Sequence, residues 1–170
     1  MDLKKYIADV PDFPQKGILF RDITPLLQDG KAFSEACNDI KEFALKVGAN
    51  VIVGPESRGF IFGCPVANDL KIGFVPVRKP NKLPRAQVTE EYSLEYGTNT
   101  LCIHADGLNK GDKVLIVDDL LATGGTTKAA CHLVEKLGAS VVGIACVIEL
   151  EFLEGRKLLE GYNVHTLIKY

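Results

Sequence analysis

Apolar residues recur every three or four positions from Lys31 to Val47. Phe33, Ala36, Cys37, Ile40, Phe43, Ala44 and Val47 form one stripe, and Ser34, Glu35, Asp39, Lys41 and Glu42 fill the other face. That period predicts an amphipathic helix, with Gly48 as its C-terminal stop. Elsewhere the pattern changes to short, mainly apolar runs: Val51–Val53, Phe74–Val77, Lys113–Val117, Val141–Ile148 and Val164–Ile168. Such runs suit strands buried on both faces of a parallel sheet. Helices are expected between them: one within Gly59–Leu70, kinked at Pro65, one over Thr126–Leu137, and a short one over Gly155–Glu160. Asp2–Val10 reads as a short helix broken by the two prolines and the glycine of Pro11–Gly17. Gln87–Ile103 differs from all of these. Two alternating segments flank Gly97-Thr98-Asn99, which signals a hairpin.

Strands that alternate with helices predict an α/β fold, a mainly parallel central sheet flanked by helices. Ligands in such sheets sit beyond the carboxyl ends of the strands. Three loops leave those ends: Glu56–Gly59, Arg78–Arg85 and Asp118–Thr126.

Composition narrows the function classes. A chain of 170 residues fits one domain and buries about 70% of its unfolded surface. The net charge of −2 gives no electrostatic basis for nucleic acid as the main partner. Five scattered cysteines without a C-x-x-C pair read as reduced, mostly buried thiols. Cys131 and His132 are adjacent and diverge on a helix, so a structural zinc site is not expected. Met1–Val10 lacks a signal-peptide core, and no apolar run approaches the roughly 18 residues that span a membrane. A cytoplasmic protein is expected.

The chemistry concentrates after Val114-Leu115-Ile116-Val117, in Asp118-Asp119-Leu120-Leu121-Ala122-Thr123-Gly124-Gly125-Thr126-Thr127. Glycines at a helix start let free N–H groups close round a phosphate, and Thr hydroxyls add donors. Paired carboxylates at a strand end suit vicinal hydroxyls. The spacing fails a Walker A loop, since Lys128 follows Thr127. No G-x-G exists for a dinucleotide turn. The bland alternative is an ordinary strand-to-helix turn whose acids cap the helix. Taken alone, the segment supports only a sugar-phosphate cradle.

Residues 114 to 126 resemble the phosphoribosyl pyrophosphate (PRPP) motif of type I phosphoribosyltransferases, in the version of the adenine-specific branch. The likeness extends further. Phe13-Pro14 through Phe20-Arg21-Asp22-Ile23-Thr24 resembles that branch's N-terminal hood, and Glu56-Ser57-Arg58-Gly59-Phe60 its pyrophosphate loop. Pro76 to Pro80 with Lys82-Leu83-Pro84-Arg85 resembles its basic loop, and Tyr92-Ser93-Leu94-Glu95-Tyr96-Gly97 its catalytic flap. Asn81 replaces a common glycine and Cys64 a small residue or proline.

The resemblance implies one domain over residues 1–170, with a hood at 1–30 and a lid at 86–104. It implies attack of adenine N9 on C1 of PRPP, giving AMP and pyrophosphate. Ala122, Thr123, Gly124, Gly125 and Thr126 would hold the 5-phosphate, and Asp118 and Asp119 the ribose hydroxyls. Glu56, Ser57, Arg58, Arg78, Lys79 and Lys82 would serve the pyrophosphate, and the Glu56-Ser57 bond would be cis. Phe20 would stack on adenine, Leu120 would pack on its other side, and backbone groups of Leu19 and Arg21 would read its edge. Glu95 and Tyr96, with Arg58, would be catalytic. Magnesium would arrive on PRPP rather than on a protein site. A homodimer is implied, in which Arg78 reaches the partner's site. A PRPP-binding regulator, or an enzyme for 6-oxopurines or orotate, is the alternative. The segment around Phe20-Arg21 and the Ser-Leu-Glu-Tyr-Gly flap argue against these enzymes. A regulator would need an added nucleic-acid-binding element, for which the chain has no room before Leu19.

Overall fold

The computed structural model describes every residue except Leu94 and Glu95. The chain starts with a 3-10 turn at Leu3–Tyr6 and then forms β1 (Ala8–Pro11) and β2 (Leu19–Asp22), an antiparallel pair of their own. The helix expected over Asp2–Val10 is therefore replaced by a turn and a strand. Leu3 and Ile7 are both buried, four residues apart, which gives a helical look. Pairing with distant β2 overrides that local pattern.

A five-residue helix, α1 (Thr24–Gln28), leads into α2 (Gly30–Val47). The Asp29 carboxylate caps α2 by accepting the Ala32 N–H at 2.9 Å, and Gly48 ends it. Then follow β3 (Val51–Pro55), α3 (Arg58–Leu70) with Pro65 inside it, and β4 (Gly73–Val77). β5 (Gln87–Ser93) and β6 (Thr98–His104) pair as the expected hairpin. The second half runs β7 (Lys113–Leu121), α4 (Gly125–Lys136), β8 (Ser140–Glu149), the short α5 (Gly155–Leu158) and β9 (Val164–Lys169).

The central sheet has the order β4-β3-β7-β8-β9, with every neighbouring pair parallel. Two apolar clusters cover its faces. Leu115 and Val117 of β7 join the side built with Ile40 of α2 and Phe62 of α3. Val114 and Ile116 join the side built with Leu133 of α4 and Ile103 of β6. Successive side chains point to opposite faces, so burial on both sides is why this strand reads as an unbroken apolar run. The hairpin lies on α4. It is tied back to the sheet by two backbone bonds between Arg78 and Cys102, at 2.9 and 2.7 Å.

Candidate active site

β7 runs further than its apolar run. Asp118, Leu120 and Leu121 stay in register with Cys146, Ile148 and Glu149 of β8. The two acids are thus fixed by ladder hydrogen bonds, and the loop begins only at Ala122. Asp119 is buried and Asp118 is partly open. The Asp119 N–H donates to Asp118 Oδ1 at 2.8 Å, and Asp119 Oδ2 pairs with Arg58 Nε at 2.8 Å. Burial first, and the Asp119 charge second, push the Asp118 carboxyl well above the ordinary carboxylate range.

Beyond the acids the chain turns sharply into α4. Gly124 takes φ +91°, and a Cβ there would stand 2.8 Å from the Gly155 carbonyl; a Cβ on Gly155 would in turn overlap the Ala122 carbonyl. The glycine-rich loop therefore rests directly on the backbone that opens α5. The first N–H groups of α4 lack partners within the helix, an arrangement suited to an anion. Together these elements form a cavity of about 240 Å³, lined by Glu56, Arg58, Asp118 to Leu120 and Ala122 to Thr127.

A second cavity, of about 470 Å³ and mostly apolar, lies under β1 and β2. Val10, Phe13, Phe20, Ile23 and Arg58 contribute to its wall. Phe13 and Phe20 meet edge to face with centroids 5.1 Å apart, and the Arg58 guanidinium stands 6.0 Å from the Phe20 ring centre. Arg58 borders both cavities.

The Glu56-Ser57 peptide is cis, and Ser57 is exposed at the start of α3. Glu56 Oε1 accepts the Lys79 N–H at 2.8 Å and Arg78 Nε at 3.2 Å. The Lys79 N–H, opposed by partial burial and helped by Arg78, holds the Glu56 carboxyl below its usual range. The Glu56–Gly59 and Arg78–Arg85 loops are thereby joined. The Lys79 side chain faces a separate cleft against the hairpin, with Tyr92 and Thr98. Lys82 is exposed, and Arg85 pairs with Asp106 at 2.6 Å. Neither lines the two cavities among the described residues.

Leu19 is exposed, and the Arg21 guanidinium lies 3.8 Å from the Tyr170 ring centre. Neither side chain lines the apolar cavity among the described residues. Tyr96 is 88% exposed, while Glu95 lies outside the described residues.

The family model for the phosphoribosyl transferase domain matches residues 26–165. An adenine phosphoribosyltransferase of Thermotoga sp. (strain RQ2) is 59% identical over all of this chain and all of its own length. The chain belongs to the adenine phosphoribosyltransferase family. Among solved structures, the family's enzyme from Thermoanaerobacter pseudethanolicus superposes with a TM-score of 0.96 at 51% identity, covering 99% of this chain and 98% of that one. The Saccharomyces cerevisiae enzyme, complexed with an imino-altritol bisphosphate and adenine, gives 0.93 at 40% identity, covering 98% and 96%.

Sequence reasoning missed several residues that border these cavities. Val10 and Phe13 complete the apolar wall; Thr127, the last residue of the motif segment, is buried and also borders the first cavity. It also missed the ion pair beneath α5. There Arg156 Nε bonds Glu149 Oε1 and Oε2 at 3.0 and 2.9 Å, and Thr166 Oγ1 donates to Oε1 at 2.8 Å. Phe13 sits in the hood segment singled out above. Glu149 gave a weak signal, as an acid at the end of an apolar strand.

Proposed function

We propose that this protein joins adenine to the phosphoribosyl group of PRPP, releasing AMP and pyrophosphate, as a purine-salvage enzyme. One observation carries the reading. An anion cradle and an aromatic cavity share the wall residue Arg58, in a chain similar throughout its length to adenine phosphoribosyltransferases.

Adenine N9 attacks C1 from the face opposite the pyrophosphate. The C1–O bond breaks with its electron pair going to pyrophosphate, the N9 proton is lost, and C1 inverts. No protein nucleophile is required, so catalysis consists of positioning and electrostatics. The α4 N-terminus and the hydroxyls of Thr123 and Thr126 hold the 5-phosphate with Ala122, Gly124 and Gly125. Asp118 and Asp119 accept the ribose hydroxyls. Positive charge developing on the ring favours the anionic form of Asp118, which burial disfavours at rest.

Arg58, Arg78, Lys79 and Lys82, with the Glu56-Ser57 turn, take the pyrophosphate. Magnesium comes with PRPP. An ion that keeps most of its waters needs few protein ligands; Glu56 and Asp119 are already engaged by Arg78 and Arg58, so the ion would ride on PRPP and supply countercharge for the leaving group.

Phe20 stacks on adenine, Leu120 covers its other side, and the outer edge of β2 reads its polar rim. The Phe13 N–H donates to the Ile18 carbonyl at 3.1 Å, and ladder bonds repeat every second residue. Phe20 and Asp22 then bond inward to β1, leaving the N–H and C=O groups of Leu19 and Arg21 on the open edge. A carbonyl there accepts from a 6-amino group. It faces an oxygen in a 6-oxopurine, an unpaired arrangement costing about 1–3 kcal/mol.

The reading takes Glu95 and Tyr96 as lid residues close to the reacting atoms. It takes the chain as one domain with a hood at 1–30 and a lid at 86–104. It takes the enzyme as a cytoplasmic homodimer with Arg78 serving the partner's site; its five free thiols accord with a reducing compartment. Purified protein with PRPP and magnesium is expected to convert adenine at least about 100-fold more efficiently than hypoxanthine. Equal turnover of the two bases would sink the adenine assignment.

A further inference from the structure

Tyr92 lies on β5, opposite Asn99 of β6. Its hydroxyl stands 3.1 Å from Thr126 Oγ1. Its ring covers Gly125, where a Cβ would stand 3.2 Å from one ring carbon. Two residues earlier, Glu90 bridges His132 Nδ1 at 3.2 Å and Lys136 Nζ at 2.6 Å. Lys136 also donates to the Thr89 carbonyl at 2.7 Å. β5 is therefore fastened along α4 at two points: charged side chains hold it midway, and Tyr92 holds it at the helix start, where the phosphate loop enters.

We propose that Tyr92 is a positioning residue for the 5-phosphate, acting through the hydroxyl of Thr126. The inference rests on the function proposed above. A threonine hydroxyl has one proton to donate and two lone pairs. If Thr126 gives its proton to Tyr92, it has none for a ligand. If Tyr92 donates instead, the Thr126 proton is free for the cradle. A phosphate dianion only accepts hydrogen bonds, so it selects the second arrangement: Tyr92 to Thr126 to phosphate. The chain polarises in one direction, and each bond strengthens the next. The coupling is reciprocal. A bound 5-phosphate holds Tyr92 on Gly125 and Thr126, and so keeps the hairpin seated on α4. The Tyr-Ser-Leu-Glu-Tyr stretch thus has its first residue tied to the occupancy of the cradle. The ring also needs a residue without a side chain beneath it, a demand on Gly125 separate from phosphate access.

The test is a double-mutant cycle of Tyr92→Phe and Thr126→Val, read by calorimetric binding of ribose 5-phosphate and, separately, of adenine. Tyr92→Phe is expected to weaken ribose 5-phosphate by roughly three- to tenfold while leaving adenine binding unchanged. The double variant should bind ribose 5-phosphate no more weakly than Thr126→Val alone. In turnover, Tyr92→Phe should raise the KM for PRPP more than it lowers kcat. Additive losses, an unchanged affinity in Tyr92→Phe, or an equal loss for adenine would each overturn the inference. A parent protein that binds no ribose 5-phosphate would overturn it together with the cradle reading. If the parent binds ribose 5-phosphate but leaves adenine unconverted, the function fails alone and the cycle still decides the Tyr92 bond.

Discussion

Arg58 Nε stands 2.8 Å from Asp119 Oδ2, so a side chain that borders the apolar cavity is fastened to one that borders the cavity of the glycine-rich loop. Arg58 is about half-exposed and Asp119 is buried. The pair costs little to keep, yet it fixes where the guanidinium points. Arg58→Gln is expected to reduce kcat/KM for both substrates together, by about 100-fold, the scale of losing one pre-aimed electrostatic group. Steady-state kinetics with each substrate varied in turn checks this. A loss confined to one substrate would mean that the two cavities work independently.

Asp118→Asn should cost activity and gain stability. The folded-state pKa of Asp118 is raised, so the folded chain holds that proton more tightly than the unfolded chain. Folding free energy is then lost as pH climbs above the unfolded aspartate value of about 3.9. The Asn variant carries no such loss. Its melting temperature should exceed the parent's near pH 7, and the gap should close towards pH 4, while turnover falls about 100-fold. Melts at the two pH values, run beside an assay, separate the effects. A stability gain of equal size at both would contradict the titration.

Phe20→Ala opens the apolar cavity on the side where Phe13 meets the ring at 5.1 Å. The expected result is about a tenfold weaker KM for adenine, the upper range for one aromatic contact, with the KM for PRPP nearly unchanged. Competition by ribose 5-phosphate should be equally unaffected. A PRPP effect as large as the adenine effect would move Phe20 out of the base site.

The pair beneath α5 bears on stability. Glu149 is 3% exposed. Burial opposes its charge, yet Arg156 and Thr166 hold its carboxyl below the usual range. Arg156→Met leaves that charge unpaired. A fully enclosed pair would lose 3–5 kcal/mol; with the Arg156 side chain 42% exposed, a loss of about 2 kcal/mol is expected. A lowered folded pKa contributes stability above the unfolded glutamate value of about 4.3 and loses it as pH falls further. Denaturant melts should therefore show the full deficit at pH 7 and a smaller one at pH 4. A deficit independent of pH would point to lost packing alone.

Much of this architecture is legible in the chain because it is local. α2 has eighteen residues of sustained period, and each core strand is a contiguous run. The cradle is legible for the same reason, since its ligating groups follow one another from Asp118 to Thr126. The hood cavity is not contiguous. It needs Val10, Phe20 and Arg58 together; the resemblance points to Phe20 for the base, places Arg58 with the pyrophosphate and does not single out Val10. Short windows also misled. Leu3 and Ile7 look helical until β2 captures the strand after them. Thr24–Gln28 is too short to show any period. The polar end of β7 is held in the sheet by β8, a partner twenty-odd residues later that no local pattern contains.

Among the described residues, β1 and β2 pair only with each other. The hood keeps its own hydrogen-bond ladder and leaves the central sheet's untouched, and its Arg21 leans on Tyr170. The base-facing wall is therefore an exchangeable part. A hairpin of different sequence, grafted at residues 8–22 with Arg21 retained, is expected to change the base preference while Arg58 and the residues after Lys113 stay as they are. For an engineer, or for evolution, one wall of the base cavity can change on its own, while Arg58 stays common to both cavities.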